Sequence, residues 1–461
     1  MSRKNPSTDE RLEAIHRKEV IRIAWPVLLE LVLASLFSMV DMMMLGNMPN
    51  KVLATQSVAA VGIVNQPLFI GISLVQSVNV GCTALVARYV GAGEEHRIED
   101  TLKHVLIISF IGLAIPYFFL VQAFRDPIMS FLGAEADVVK LGGSYFRILL
   151  TGFLFQSLNF SLTAALRGAG ETKVPMKVNI VANFLNVFGN AILIYGLFGL
   201  PALGITGAGL STALSNALAT LMMYGYVLAG KSKVKLSFKA AKIQKGIISN
   251  LVKIGVPAAM EQLVIRAGLL IFAKIVAGLG TAIFAAHSIA ISILGLSFNP
   301  GQAFGISASA LVGRALGEED PDLAESYGKE AKKLGSIIAS TVGLIFFIFA
   351  PRLVSLYNKD PVVVQNAALA LRIIGVMQPL QSSQLVLAGA LRGAGDTVST
   401  FIATLISLLI IRVSFAHLFV NVLGYGIAGA WSAVVIDQFV RWVVVRRRFD
   451  RGKWKELKLH A

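Results

Sequence analysis

Cysteine is nearly missing from this chain: Cys82 is the only one among 461 residues. No internal disulfide can form, and no cysteine-rich metal centre can be built. Charge is scarce too, at 15% of residues against 55% hydrophobic, and between Lys177 and Lys231 there is no Asp, Glu, Lys or Arg at all. About 20 apolar residues already cross the hydrocarbon layer of a bilayer, so this stretch must hold two crossings, turning between Gly196 and Gly204 around Pro201. Catalytic signatures are missing as well. There is no HExxH, no GxSxG, no phosphate-binding loop and no paired-cysteine motif, which leaves ATP-driven pumping and intramembrane hydrolysis without their machinery. Neither enzyme activity, nor a cofactor, nor a bound metal is expected.

What the chain does contain is long apolar runs, which make it an integral membrane protein. Its net charge of +16 comes from basic residues in short connections and tails between those runs, not from one basic domain. That distribution suits anionic lipid rather than nucleic acid. Met1 to Lys18 is polar and has no apolar core followed by a cleavage site, so the first span is expected to act as the insertion signal.

Apolar runs place spans near 20–46, 55–86, 104–123, 141–165, 174–196 and 205–229, then near 248–275, 282–312, 334–350, 363–389, 397–420 and 426–446. The expected fold is therefore all-α and polytopic, with twelve transmembrane helices. It divides into an N-terminal tail (1–19), an N-lobe of six helices (20–229), a basic linker (230–247), a C-lobe of six (248–446) and a C-terminal tail (447–461). Arg3, Lys4, Arg11, Arg17 and Lys18, the linker residues Lys231, Lys233, Lys235, Lys239, Lys242 and Lys245, and Arg446 to Arg448 all fall on one side of an alternating topology. The opposite turns at Leu197 to Gly204 and Asn421 to Gly426 carry no Lys or Arg, so both termini are expected in the cytoplasm.

The two halves repeat. Leu166 to Thr172 reads LRGAGET and Leu391 to Thr397, 225 residues on, reads LRGAGDT. VARYVG from Val86 returns as VGRALG from Val312, IAWPVLLE from Ile23 as IGVPAAME from Ile254, and GITGA from Gly204 as GIAGA from Gly426. Six helices per half is an even number, so both halves enter from the same side and the repeat is parallel, giving two six-helix bundles about an axis along the membrane normal with a cleft between them. The glycines of LRGAG(E/D)T suit a tight turn and its acid or Thr a helix cap, with Arg167 and Arg392 as anchors or gate contacts.

Within the first span Glu30 and Asp41 share a helical stripe, since eleven residues at about 3.6 per turn return to nearly the same angle. An ionised carboxylate in lipid costs roughly 2.5 to 3.5 kcal/mol on insertion scales, so this stripe should face a cavity or other helices. Asn179, Asn183, Asn186 and Asn190 form a second polar stripe in the fifth span. Paired with one another across helices they are structural; beside Asp41 their amide oxygens can order water or a cation. Further amides mark helices that could line a cavity: Gln66 and Gln76 in the second span, Asn159 in the fourth, Gln302 in the eighth, and Gln378 and Gln381 in the tenth, with Gln76 and Gln302 equivalent by repeat. Together with Met42 these suit large amphipathic compounds. Glu261 repeats Glu30, whereas the counterpart of Asp41 is Phe272, and this asymmetry favours Asp41 as a coupling residue. Asp437 and Arg441, four apart, read as a helix salt bridge; His287, Arg412 and His417 read either as proton relays or as groups satisfied by neighbours.

With Asp41 in the first span, two six-helix halves, the LRGAG turns and the Asn179/Asn183 pair, the sequence resembles the multidrug and toxic compound extrusion (MATE) family over nearly its whole length. The resemblance implies a V-shaped pair of bundles in the plasma membrane of a bacterium or archaeon, monomeric, exporting organic and often cationic drugs by alternating access as a secondary antiporter. It implies ion coupling through Asp41, Asn179, Asn183 and Glu261, and cargo contacts from Asp41, Glu30, Met42, Gln66, Gln76, Asn159, Asn186, Gln302, Gln378 and Gln381. Branches with a sodium site in the second half carry an acid in the tenth span, where this chain reads MQPLQSSQ. That departure makes it look closer to the DinF-like, proton-coupled branch. The alternatives are sodium coupling, or flipping of a lipid-linked oligosaccharide by a cationic cleft that would use Arg147, Arg266, Arg372 and Arg412.

Overall fold

A computed structural model describes residues 8–237, 243–457 and 459, with side chains from residue 12 onward. The expected tail residues Arg3 and Lys4, the linker residues Lys239 and Lys242, and the side chain of Arg11 lie outside the described residues. Twelve helical passes follow one another, with no strand among the described residues. They are α1 (Thr8–Gly46), α2 (Lys51–Gly91), α3 (Glu95–Ala123), α4 (Ala136–Gly168), α5 (Lys173–Tyr195) and α6 (Gly204–Leu228). Then come α7 (Lys245–Ala277), α8 (Thr281–Gly317), α9 (Pro321–Ser355), α10 (Pro361–Gly375 and Gln378–Gly393), α11 (Thr397–Val422) and α12 (Gly426–Asp450). Among the described residues nine of these are long and apolar enough to cross a bilayer, and the bent pair forming α10 makes a tenth. Of the other two, α6 is rich in Gly, Ser, Thr and Asn, and α7 carries Lys253, Glu261, Arg266 and Lys274.

The expected unbroken tenth span bends by 56° between its two halves. Pro379 is the second residue of the new half and has no N–H to continue the preceding helix. In α3 the turns widen to π geometry over Ile107–Ala114, ahead of Pro116, which likewise cannot donate backward. The widened turns of α11 at Leu405–Arg412 contain no proline; they carry Ser407 and Arg412 into the interior.

Two compact units divide the chain. One is Leu29–Gly255; the other takes residues 256–459 together with α1 up to Leu28. Thus α1 changes unit just after Pro26 and α7 just before Pro257, which is the repeat equivalent of Pro26. The core of the first unit gathers Phe146, Leu150, Phe153 and Met129. The second has one core around Phe272 and Trp431, and another in which Val20, Ile23 and Ala24 of α1 pack with Phe304, Leu311, Phe449 and Trp454.

The repeated LRGAG turn does the same work in each unit. A Cβ on Gly168 would lie 2.7 Å from the Thr83 carbonyl oxygen of α2, and one on Gly393 would lie 2.2 Å from that of Ser309 in α8. Backbones this close tolerate only glycine. Gly170 and Gly395 then turn the chain at φ of +80° and +90°. The acid that follows ties down a later segment: Glu171 accepts from Ser232 Oγ at 3.0 Å and Lys233 N at 2.9 Å, just past the end of α6, and Asp396 accepts from Arg448 in the last turn of α12 at 2.6 Å.

Candidate functional site

Three buried polar clusters are built from the helices described above. In the first, Glu30 of α1 accepts from Arg167 Nη2 of α4 at 2.9 Å and from Asn179 Nδ2 of α5 at 2.6 Å, and Asn159 donates to Asn179 at 3.0 Å. The second repeats it. Glu261 of α7 accepts from Arg392 Nη2 of α10 at 2.9 Å, from Thr404 Oγ1 of α11 at 3.0 Å and from Thr400 Oγ1 at 3.1 Å. Arg392 and Thr404 lie 225 residues after Arg167 and Asn179, so each unit clasps its first-helix acid with the motif arginine and a polar side chain from the fifth or eleventh helix. Both carboxylates are buried, at 7% and 3% exposure. Each is a charge whose burial depends on its partner.

The third cluster is found in one unit only. Asp41, half-buried near the far end of α1, accepts from Asn190 Nδ2 at 2.7 Å. Asn186 turns its amide nitrogen to both carboxylate oxygens at 3.2 and 3.1 Å, while its oxygen accepts from Thr212 Oγ1 and N at 3.1 Å. Ser211 Oγ fixes the α5–α6 contact by donating to the Asn186 carbonyl at 2.8 Å, in space left open by Gly189. Among the described residues no Lys, Arg or His pairs with Asp41, whereas Glu30, Glu261 and Asp437 each have arginine. A carboxylate held only by neutral amides can take up a proton or a cation without first breaking a salt bridge. The Asn190 Oδ1 atom beside it is buried without a hydrogen-bond partner, and a carboxylate next to a free amide oxygen is a suitable oxygen donor set for either.

The remaining expected residues separate into two groups. Met42, Gln66, Gln76 and Gln302 are exposed on α1, α2 and α8. Gln378 and Gln381, by contrast, are each 1% exposed and shut inside the helix packing, and Asn159 and Glu30 are buried in the first cluster. These four expected cargo contacts are therefore enclosed by helix packing in this structure. Asn179 also departs from expectation: it binds Glu30, one end of the stripe away from Asp41, and Asn183 lies half-buried between the two clusters. Asn190 and Asn186 take the place beside Asp41 that Asn179 and Asn183 were expected to hold. Sequence reading also missed Arg167 and Arg392 as partners of Glu30 and Glu261, although the recurrence of both members in both halves was a usable signal.

These features define a multi-pass helical membrane protein built on an internal repeat, with one carboxylate site that the repeat does not duplicate. The model of the MatE family matches residues 26–192 and 257–418, and the chain belongs to that family, whose members are membrane transporters and not enzymes. It is 29% identical over 442 residues to a probable multidrug resistance protein NorM of Thermotoga maritima, covering 95% of this chain and 93% of that one. To an uncharacterized transporter, YisQ, of Bacillus subtilis it is 27% identical, covering 94% of each. To the multidrug resistance protein NorM of Vibrio cholerae it is 27% identical, covering 84% of each. Among solved structures, a MATE protein in the straight conformation superposes with a TM-score of 0.87 at 24% identity, covering 95% of this chain and 97% of the other. An outward-facing multidrug resistance MATE family transporter also reaches 0.87 at 24% identity, covering 98% and 100%. At that identity the likeness shows the fold.

Proposed function

We propose that the protein is a secondary multidrug exporter that exchanges organic, often cationic, compounds for protons, with Asp41 as the coupling group. The observation that carries this reading is that Asp41 is held by amides with no arginine, whereas among the described residues the buried carboxylates Glu30, Glu261, Glu330, Asp396 and Asp437 each pair with one. Relatives named as multidrug resistance proteins support the substrate class. Ionised Asp41 helps retain a cationic or polar compound against Met42, Gln66 and the neighbouring apolar surface. Protonation from the far side weakens that grip, and the helices close behind the departing cargo. One proton crossing roughly 100 mV supplies about 2.3 kcal/mol, and each pH unit adds about 1.4 kcal/mol, enough for concentration ratios of tens to hundreds.

The basic residues at the N-terminal end of α1, in the linker and at the end of α12 support a cytoplasmic placement of that face in the cell's plasma membrane. The pairing of Glu261 with Arg392 and two threonines, and the amide-only MQPLQSSQ stretch, support one coupling site per chain and the DinF-like branch. A sodium-coupled reading is favoured by one feature, the unpartnered Asn190 Oδ1 beside the carboxylate. Purified protein in vesicles decides between them. Addition of a cationic dyestuff to proton-loaded or sodium-loaded vesicles should release protons and leave sodium inside; release of sodium alone would overturn proton coupling.

A further inference from the structure

The position equivalent to Asp41 in the second unit is Phe272, and what surrounds it has the opposite sign. Arg412 of α11 lies over the Phe272 ring, 5.5 Å from its centroid. It donates to Asp437 Oδ2 of α12 from Nε at 2.9 Å and also from Nη2. Arg441 donates to Asp437 Oδ1 at 2.8 Å and, through Nε, to Ser407 at 2.9 Å. Two guanidinium groups thus share one carboxylate, an excess of one positive charge, and Asp437, Arg412 and Arg441 are all buried. A net charge in such a place is costly unless something of the other sign comes with it.

Two further polar groups meet there, each with a ring nitrogen that has no partner among the described residues. His287 of α8 stacks edge-on against Phe272 at 5.5 Å and against Trp431 of α12 at 5.8 Å. Its Nδ1 and the Trp431 Nε1 are both buried without a hydrogen bond, in residues 5% and 0% exposed. An indole N–H can only donate, so it calls for an acceptor, and among the described residues no carboxylate oxygen, hydroxyl or carbonyl supplies one. The widened turns Leu405–Arg412 bring both Arg412 and Ser407 to this place, and departures of this kind from α geometry recur at binding sites.

We infer that the Arg412, His287 and Trp431 side chains form a binding site for a small inorganic anion of the chloride class, which balances the second arginine. Enclosure by Phe272, Trp431 and Asp437, all at 1% exposure or less, suits a stripped monatomic ion and leaves no room for organic cargo. The site is separate from Asp41 and does not depend on the coupling ion.

The test uses the purified full-length transporter in detergent, with chloride replaced stepwise by gluconate at constant ionic strength. The melting midpoint should rise with chloride and saturate, as expected for a ligand that binds only the folded state, and W431F and H287F should lose that dependence. An unchanged midpoint, the result for a site holding water alone, overturns the inference, as does a chloride effect of equal size in both variants. If neither variant folds, bromide quenching of wild-type tryptophan fluorescence decides. Trp25 is exposed and gives a linear collisional component; an added saturable component upholds the site, and linear quenching alone overturns it.

Discussion

Asn190 donates to Asp41 at 2.7 Å across 149 residues of sequence, the same separation at which Asn179 donates to Glu30. The two helices therefore run parallel and in register, so that two acids eleven residues apart on α1 meet two asparagines eleven residues apart on α5. Only the lower acid also meets an arginine. That difference turns one asparagine contact into part of a structural clasp and leaves the other as part of a site whose charge can change.

The asparagine stripe should accordingly divide by function. Asn190→Ala removes a hydrogen bond to an ionised group, worth about 1.5 to 3 kcal/mol, and is expected to slow dye exchange in vesicles roughly tenfold or more at fixed pH. Asn179→Ala should lower the melting midpoint instead and leave the exchange rate of the folded fraction close to wild type. The reverse pattern would place the coupling site at Glu30.

The arginine clasps are expected to be worth more to folding than to transport. Arg167→Met and Arg392→Met each strand a buried carboxylate, a loss of about 3 to 5 kcal/mol for fully enclosed pairs and nearer the lower figure here, because the two arginine side chains keep 17% and 25% of their exposure. Combining Arg167→Met with Glu30→Gln should recover much of the loss in a double-mutant cycle. Additive losses, read from denaturation of the purified protein, would show that the pair is not coupled.

How much of this could be read from the chain follows from the physics of each feature. Spans were legible because long uncharged runs have few other uses, and the repeat because four motifs recur in order. Asp437 with Arg441 was legible as a one-turn pair, but Arg412, its third member, was not, since nothing local links residues 412 and 437. The helical stripe placed Asp41 and the asparagines at the correct angles. It could not supply the height at which α1 and α5 are matched, so the stripe alone does not show that Asn186 and Asn190, rather than Asn179 and Asn183, stand beside Asp41. Burial of Gln378 and Gln381 depended on the 56° break of α10, which a run of apolar residues does not reveal.

Glycine substitutions separate close approach from simple helix propensity. Gly393→Ala would put a Cβ 2.2 Å from the Ser309 oxygen and should cost about 1 to 3 kcal/mol or more through forced backbone movement. Gly62→Ala in α2 meets nothing within 4 Å and should gain about 0.5 to 1 kcal/mol. Thermal melting of the two variants side by side checks the contrast; equal midpoints would contradict the proposed contact between α8 and α10.

The most direct test of the coupling role is Asp41→Asn, which keeps the size of the side chain and one of its two acceptor oxygens while removing its charge change. Reconstituted in vesicles with a pH-sensitive dye inside, the variant should fold and melt like wild type yet show no proton movement when cationic drug is added and no drug movement when a pH gradient is imposed. Proton and drug exchange at the wild-type rate in a folded Asp41→Asn protein would contradict the account.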